Sequence, residues 1–564
     1  MKTIIYQVFP RLLGNTNSTN KKSGTIEENG CGKFNEISDN ALAEIRDLGV
    51  SHMWYTGIIE HASTTDYSKY GIIKDFNHVI KGKAGSPYAI KDYYDVAPDL
   101  AEDVPNRMKE FEALVERTHQ AGMKVIIDFV PNHLARHYQS DAKPKGVVDF
   151  GVDDDRSVAF SSKNNFYYLL DTHFVSPVKA NSAAETWQEK PARVTGNDCL
   201  NPAPGIHDWY ETVKLNYGVD LFDHGKWHFD PIPDTWLKMK EILLYWSSKG
   251  VDGFRCDMAE MVPLDFWKWV IKEVKKVYPQ SCFIAEVYQP DLYHPFINEA
   301  GFDWLYDKVG VYDQLRAVIE GKAGAYTLNG ALTRNEKLNG QMLYFMENHD
   351  EQRIASDFFA GDATKGWPGV VFSAAVSSGA FMIYAGQELG EKGMEEEGFS
   401  GRDGRTTIFD YWSVDILRRW VNDKRFDGGE LTSEEVALRE RYKRLLNLVQ
   451  SENAFYEGGF YDLLWYNKDN PHFDPDSVYP FLRYKGSVVF IVVINFSGVS
   501  RDIKLKIPEH AFDVMNLKTD GYYKGKDVFD TRLKIQFPGR VATVGGVGMR
   551  LTGYAGAIIR LAIK

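Results

Sequence analysis

The sequence "GVDGFRCDMAEMVP" at residues 250–263 decides the fold, and it places two charged residues where a buried strand is predicted. Its first half, from Val251 to Cys256, predicts a buried strand, yet that strand carries Arg255 and ends on Asp257. Because successive strand residues point to opposite faces, these two charged side chains share one face. A buried ion pair is seldom a net gain in stability. The pair therefore indicates a functional role.

Short apolar runs of the same kind recur along the chain, and most precede a segment with helical periodicity. The strand candidates lie at 3–9, 50–56, 123–130, 251–257, 282–288, 302–307, 341–350 and 380–386. Helical patterns are clearest at 36–49, 106–122, 233–250 and 265–278. Strands that alternate with helices form parallel βαβ units. Eight such units predict an α/β protein built on a (β/α)8 TIM barrel, whose active site lies at the C-terminal ends of its strands.

Two regions depart from this alternation. The segment after the third predicted strand is irregular and rich in Asn, Asp, Pro and Gly, which predicts an inserted, loop-dominated domain B over the barrel mouth. After residue 450 the pattern changes to antiparallel strands with turn signals, which predicts a C-terminal β-sandwich. We assign 1–133 and 220–452 to the catalytic barrel (domain A), 134–219 to domain B and 453–564 to the sandwich (domain C).

The composition excludes several classes of partner. The 564 residues are 44% hydrophobic, enough for a large core, and the formal charge of −12 opposes a nucleic-acid partner. No apolar run approaches the roughly 18 residues that a membrane helix needs, so we expect no membrane partner. The N-terminus lacks a signal-peptide pattern, which predicts cytoplasmic residence, or periplasmic if a signal peptide was removed. Four cysteines do not make a disulfide framework, and whether Cys31 and Cys199 pair stays open.

Polar and charged residues lie at or near the ends of four predicted strands and would meet at one rim of the barrel. In chain order they are Asp128, Asn132, His133, Arg255, Asp257, Glu286, His349 and Asp350. Each residue alone is more often a helix cap, a turn residue or a satisfied polar group. Several carboxylates around one mouth have no stability rationale, because like charges in a cleft of low dielectric repel each other.

Paired carboxylates are the groups that cleave glycosidic bonds, one as an anionic nucleophile and one as a proton donor. We expect Arg255 to lower the pKa of Asp257 and to hold that carboxylate ionised. The apolar neighbours of Glu286 favour a carboxyl that keeps its proton. These environments predict that Asp257 is the nucleophile and that Glu286 is the proton donor.

Four segments resemble the signature segments of the α-amylase family, glycoside hydrolase family 13. They are "DFVPNH", "GFRCDMAEM", "FIAEVY" and "FMENHD", in the family's order and on the third, fourth, fifth and seventh predicted strands. "VKLN" at 213–216 resembles the family's fifth segment, and "SPYAIKDYYDV" at 86–96 resembles its Gly-Tyr-x-x-x-Asp-Tyr stretch. The resemblance covers nearly the whole chain, including an inserted domain and a C-terminal β domain.

The resemblance implies a role for each matched residue. Asp257 would be the nucleophile, Glu286 the general acid and then base, and Asp350 the group that binds sugar hydroxyls and stabilises the oxocarbenium-like state. The implied reaction retains the α configuration, with the nucleophile and acid carboxyls roughly 5–5.5 Å apart. Asp128 would organise the mouth. Substrate-binding roles are implied for Arg255, His133, His349 and Tyr88, of which Tyr88 would stack on the sugar ring.

The chain departs from the family where many members bind calcium. Asn132 matches a family calcium ligand, but Glu260 and Met261 replace the Lys-His pair that often follows the nucleophile. The loop "NTNSTN" at 15–20 offers oxygen ligands for a different calcium ion, although a solvated Asn-rich loop is the preferred interpretation. We therefore assign no metal ligand and expect no required cofactor; calcium stays an option that the motif does not support.

The pattern "VKLN" is closer to neopullulanases and cyclomaltodextrinases than to oligo-1,6-glucosidases. The resemblance thus implies hydrolysis of α-1,4 bonds in starch-derived glucans or maltooligosaccharides. The chain begins at the first barrel strand, without the N-terminal domain that pairs such relatives, so we expect a monomer.

Two alternatives stay open: a transglycosylase of the same family, and a non-catalytic carbohydrate-binding homologue, which the three retained carboxylates oppose. Endo or exo action and tolerance of α-1,6 bonds depend on domain B and on the loop 398–413. In that loop Arg402, Arg405 and Trp412 could line acceptor subsites or serve packing.

Overall fold

The computed structural model describes residues 1–182 and 185–562, and at its centre is a closed barrel of eight parallel strands. The strands are β1 (Ile4–Val8), β2 (His52–Tyr55), β3 (Lys124–Phe129), β4 (Gly253–Cys256), β5 (Cys282–Ala285), β6 (Trp304–Tyr306), β7 (Met342–Phe345) and β8 (Ala380–Tyr384). The barrel closes where β1 pairs with β8, with Ile4 opposite Phe381. Each of the eight predicted runs contains one of these strands, so the predicted barrel is confirmed.

Helices form the outer layer of the barrel. The main ones are α1 (Asp39–Asp47), α2 (Arg107–Gln120), α3 (Asp234–Ser248), α4 (Leu264–Val277), α5 (Asp313–Ile319), α6 (Leu328–Arg334), α7 (Ala363–Ala375), α8 (Asp415–Val421) and α9 (Ser433–Ser451). In α4 the buried positions Phe266, Val270 and Val274 recur every four residues, which places one apolar stripe against the strands. The four clearest helical patterns correspond to α1–α4.

The barrel interior is packed with side chains rather than open. Alternate strand residues point inward and form a compact apolar group that includes Ile5, Trp54, Ile126, Ile284, Leu343 and Met382. Arg255 lies opposite Ile284 in the strand register, so it also points inward. It is therefore a cation among the interior side chains, near the end of the barrel where the strands finish.

Two insertions rise from that end. The segment after β2 contains an antiparallel ribbon of Ile59–His61 with Ile90–Val96. The larger insertion after β3 begins and ends in a ribbon of His133–Ala135 with Thr212–Lys214. Two more short ribbons follow the same pattern, Tyr168–Leu169 with Ala192–Arg193 and Val219–Asp220 with Lys226–Trp227. The first ribbon of the larger insertion stands directly on the barrel rim.

The C-terminal region is antiparallel, as predicted. Its strands are β9 (Gly459–Asp462), β10 (Val478–Lys485), β11 (Val488–Asn495), β12 (Arg501–Leu505), β13 (Tyr522–Asp527), β14 (Lys534–Pro538), β15 (Val547–Leu551) and β16 (Gly556–Ala562). Six form one sheet in the order β9-β10-β11-β16-β13-β14, and β12 pairs with β15 in a second sheet. All four cysteine thiols are free, including Cys31 and Cys199. Across the described residues, no helix has the length and apolar character needed to cross a membrane.

Candidate active site

A cleft of about 670 Å³ opens at the C-terminal ends of the barrel strands. Six of the seven predicted site residues line it: Tyr88, His133, Asp257, Glu286, His349 and Asp350. They come from the segment after β2 and from the ends of β3, β4, β5 and β7. The seventh, Arg255, is fully buried beneath the cleft floor. The topology thus brings all the predicted residues together.

Arg255 holds several acidic side chains at once. Its Nη1 donates to Asp257 Oδ1 at 2.7 Å, and its Nη2 lies 2.7 Å from Glu286 Oε1 in an ion contact that is not aligned as a hydrogen bond. A longer contact of 3.4 Å joins Nη1 to Asp128 Oδ1, and Nε donates to the Tyr306 hydroxyl at 3.1 Å. The charge that the strand buries therefore contacts two carboxyls of the cleft, those of Asp257 and Glu286, and not Asp257 alone.

Arg255 acts to lower the pKa of Asp257, as expected, but the expected net lowering of that pKa is wrong. Burial raises the pKa of Asp257 well above its usual range, with a contribution from nearby Glu286, and Arg255 opposes this rise without overcoming it. Water is excluded from the carboxylate, and the compensating cation is shared with other acids.

Glu286 is held by the backbone and by a neighbouring phenol. The N–H of Met258 donates to its Oε2 at 2.8 Å, and the Tyr288 hydroxyl donates to its Oε1 at 2.6 Å. The segment that carries Tyr288 is held in turn by Glu260, whose Oε2 accepts the N–H groups of Tyr288 and Gln289 at 2.9 and 3.0 Å. Glu260, which departs from the family pattern, thus orders the chain that follows the candidate acid.

His349 links Asp350 to the opposite wall of the cleft. Gln7 Nε2 donates to His349 Nδ1 at 2.8 Å, which leaves the ring proton on Nε2. That nitrogen shares a hydrogen bond of 2.5 Å with the Tyr88 hydroxyl and lies 3.0 Å from Asp350 Oδ2. Burial lowers the pKa of His349 well below its usual value, so the ring is neutral, and burial raises the pKa of Asp350 to about 7. The Tyr88 ring stacks on His349 with centroids 5.3 Å apart, so one of its faces is already covered.

His133 lines the wall formed by the larger insertion. Asn132 Nδ2 donates to His133 Nδ1 at 3.2 Å, and the Trp209 ring lies 5.0 Å from the imidazole, centroid to centroid. Burial and the nearby Lys214 ammonium lower the pKa of His133 to about 3. A neutral imidazole here can exchange hydrogen bonds with a polar ligand without adding charge.

Several lining residues were missed by the sequence analysis. They are Lys81, Trp209, Glu211, Tyr288, Phe399 and Phe409. Tyr288 stands two positions after Glu286, a spacing that could have indicated it, whereas the two phenylalanines carry no signal within the loop 398–413. Trp412 from that loop is part of the core, and Arg405 pairs with Asp403. The loop contributes apolar rings to the cleft in place of the suggested arginines.

The comparison with protein families gives one broad match. A family model described as "Alpha amylase, catalytic domain" matches residues 7–454. This range contains the barrel apart from the first three residues of β1, both insertions and every residue of the cleft, and it ends before the C-terminal sheets.

Curated relatives match at low identity. The α-amylase MalA of Haloarcula japonica is 24% identical over 405 residues, which cover 70% of this chain and 45% of that protein. The human amino acid transporter heavy chain SLC3A1 is 23% identical over 362 residues, which cover 60% of this chain and 40% of that protein. The matches thus span less than half the length of either relative.

Solved structures match over the full length. A noncanonic maltogenic α-amylase, AmyB from Thermotoga neapolitana, aligns with a TM-score of 0.63 at 19% identity, covering 100% of this chain and 99% of that one. At this identity the likeness establishes a shared fold, including the C-terminal sheets that the family model does not reach.

Proposed function

The chain belongs to the α-amylase family, and from that premise we propose that it is a retaining α-glycosidase that cleaves α-1,4-glucosidic bonds in starch-derived glucans and maltooligosaccharides. One observation carries the proposal. Asp257 and Glu286 follow neighbouring strands, face the same cleft and lie on the two terminal nitrogens of Arg255. Two carboxyls beside one concave, aromatic-lined site suit the double displacement of glycosidic bonds.

The reaction assigned to these residues has two steps. In the first, Asp257 attacks the anomeric carbon while Glu286 gives its proton to the glycosidic oxygen, so the bond to the leaving sugar breaks as an ester forms. In the second, Glu286 takes a proton from water, which attacks the same carbon and releases Asp257. Two inversions restore the α configuration.

The remaining predicted residues would bind the sugar around that carbon. Asp350 and the neutral imidazoles of His349 and His133 present hydrogen-bonding groups to the cleft, as hydroxyls require. Tyr88 offers the ring face that His349 leaves free, and aromatic faces pack against the apolar faces of sugars. None of these roles uses a cofactor, and the expected monomer places the complete site within one chain.

The test compares the protein with two variants that make the same chemical change. Asp257→Asn removes the proposed nucleophile, and Asp252→Asn makes the same substitution at the other end of β4, where Asp252 accepts the N–H of Val125. The substrates are maltoheptaose, pullulan, a cyclodextrin, isomaltotriose and sucrose, followed by chromatography and by early NMR of the anomers. We expect α-anomeric products from α-1,4 substrates, a loss of about 10⁴-fold or more in Asp257→Asn, and activity retained in Asp252→Asn.

The other outcomes separate the alternatives. Products longer than the substrate would identify transfer to a sugar acceptor, for which the rings of Tyr288, Phe399 and Phe409 in the cleft are suited. Glucan binding without turnover by folded protein would contradict the enzyme and favour a binding role, as would equal activity in the wild type and Asp257→Asn. β-Anomeric first products would contradict the retaining mechanism.

A further inference from the structure

A buried lysine joins three segments at the base of the larger insertion. Lys214 is 6% exposed, and its Nζ donates to Asn132 Oδ1 at 2.5 Å, lies 2.8 Å from Asp198 Oδ1 and donates to the Met261 carbonyl at 3.3 Å. Asn132 follows β3, Asp198 belongs to the insertion, and Met261 follows β4. One ammonium group therefore binds the barrel to the insertion beside both catalytic strands.

The oxygens around this ammonium are of the kind that bind a hard cation. An amide oxygen, a carboxylate oxygen and a backbone carbonyl converge on one point, and Asn132 is the residue that resembles a family calcium ligand. Calcium takes about 6–8 oxygens at about 2.3–2.6 Å. An ion bound to the Asn132 and Asp198 oxygens would therefore lie where the Lys214 nitrogen lies.

The residues of the junction do not fit a calcium ion. A divalent ion next to the lysine would place three positive charges against the single carboxylate of Asp198. The one tight group of four acidic side chains among the described residues, Glu60, Asp92, Asp95 and Asp141, does not include Asp198. Uncompensated charge of this size is strongly disfavoured in a buried setting.

We propose that the Lys214 ammonium is the built-in cation of this junction and takes the place of a calcium ion there. The consequence reaches the cleft through Asn132, whose Nδ2 donates to His133 Nδ1 and to the Gly196 carbonyl at 3.2 and 2.8 Å. Lys214 is also the strand partner of His133. The lysine therefore positions His133 and the wall that carries it, whatever reaction the cleft performs.

The first experiment measures thermal unfolding of the full chain in EDTA and in millimolar calcium chloride. Lys214→Met keeps most of the side-chain volume and removes the charge, so the oxygens of Asn132, Asp198 and Met261 lose their cation. We expect Tm to fall by about 5 °C, since breaking a buried charged contact is costly. Calcium should restore little, because the methionine still fills the space. An unchanged Tm would overturn the proposal.

A second variant distinguishes a cation site from ordinary packing. Lys214→Ala opens space among the same three oxygens, so calcium chloride should recover part of the lost Tm and lower the KM of any glucan that the wild type turns over. The control is Lys238→Met, which removes another lysine that joins the insertion to the barrel through Asn165 Oδ1 and the Asp149 carbonyl. Calcium should not rescue that variant. Equal rescue of both would contradict a specific site.

A third comparison locates any calcium effect in the wild type. We expect the wild-type Tm to be the same in EDTA and in calcium. If calcium raises it, the same titration on Asp198→Asn decides the matter. An effect that persists comes from another site and leaves the proposal standing, whereas an effect that disappears would show that the junction binds calcium beside Lys214, which overturns it.

Discussion

Beneath the floor of the cleft, the guanidinium of Arg255 contacts several acidic side chains at once. Arg255 contacts Asp257, Glu286 and Asp128, and the rings of Trp54 and Tyr306 lie within 5.4 Å of it. Arg suits this position because its planar fork contacts two carboxyls with two nitrogens and stacks among aromatic faces. The buried charge in the strand is therefore explained by the acids it arranges, at a cost in stability.

Asp350 should make the folded protein less stable as the pH rises. Burial raises its pKa to about 7, whereas an aspartate in an unfolded chain titrates near pH 4. Below about pH 4 both states carry the proton and the residue has no effect. Between about pH 4 and 7 the unfolded chain gives up the proton first, so the free energy of unfolding falls, and it stays low above pH 7.

Asp350→Asn should remove this penalty. We expect its Tm to exceed that of the wild type by about 2 °C at pH 7.5 and to equal it at pH 4, measured by calorimetry in the absence of substrate. Asp153→Asn, an exposed substitution in the larger insertion, should change Tm at neither pH. A wild type that is as stable as Asp350→Asn at pH 7.5 would contradict the raised pKa.

At the scale of elements, the segments that follow the barrel strands position the side chains of the cleft. The chain after β5 is held by Glu260, which follows β4 and accepts two backbone N–H groups from Tyr288 and Gln289. This contact couples the loops that follow β4 and β5. Glu260 does not line the cleft, and its contact with Glu286 is indirect, through the segment that carries Tyr288.

Replacing Glu260 tests that coupling. Glu260→Ala leaves two N–H groups without an acceptor and should lower kcat by about 10- to 100-fold, because small displacements of a catalytic group are costly. Glu260→Gln keeps one acceptor oxygen and should retain most of the activity. If the two variants lose kcat equally, the carboxylate does not act through these hydrogen bonds.

The same scale shows what the sequence could predict. The eight strands were predictable because apolar runs and helical segments alternate, and the cleft residues because their motifs end those strands. The contact of Arg255 with Glu286 could not be predicted, because it depends on the strand register that sets Arg255 opposite Ile284 in β5. The positions of Phe399 and Phe409 could not be predicted either, since only the folded loop brings these residues to the cleft. Lys214, which the sequence linked to substrate preference, lies buried beside the wall.

At the scale of the whole molecule, the C-terminal sheets are fastened to the barrel. Arg483 on β10 is 2% exposed and donates to the carbonyls of Val376, Ala454 and Phe455 at 3.0–3.1 Å. Val376 follows α7 of the barrel, so this guanidinium bridges the two units. Backbone carbonyls buried at such a contact have no water to replace the donor.

Removing Arg483 should weaken the molecule without changing its chemistry. We expect Arg483→Leu to lower the free energy of unfolding by about 3 kcal/mol, since several buried acceptors lose their donor, while kcat at room temperature is unchanged. Denaturant unfolding measures the first quantity. Arg501→Leu, which removes a partly exposed ion pair with Asp474, is the control and should cost less than about 1 kcal/mol. Equal losses in the two variants would contradict the bridge.

The two strands that pair to close the barrel are synthesised at very different times. β1 is made first, yet its partner β8 ends the barrel, and Ile4 and Phe381 are separated by 377 residues. At roughly 5–20 residues per second a ribosome needs about 20–75 s to span that distance. During that time one edge of β1 has no partner, and an unpaired apolar strand edge invites association with other chains. The edge of β1 is therefore open to such association until β8 has been made, and the completed barrel closes it.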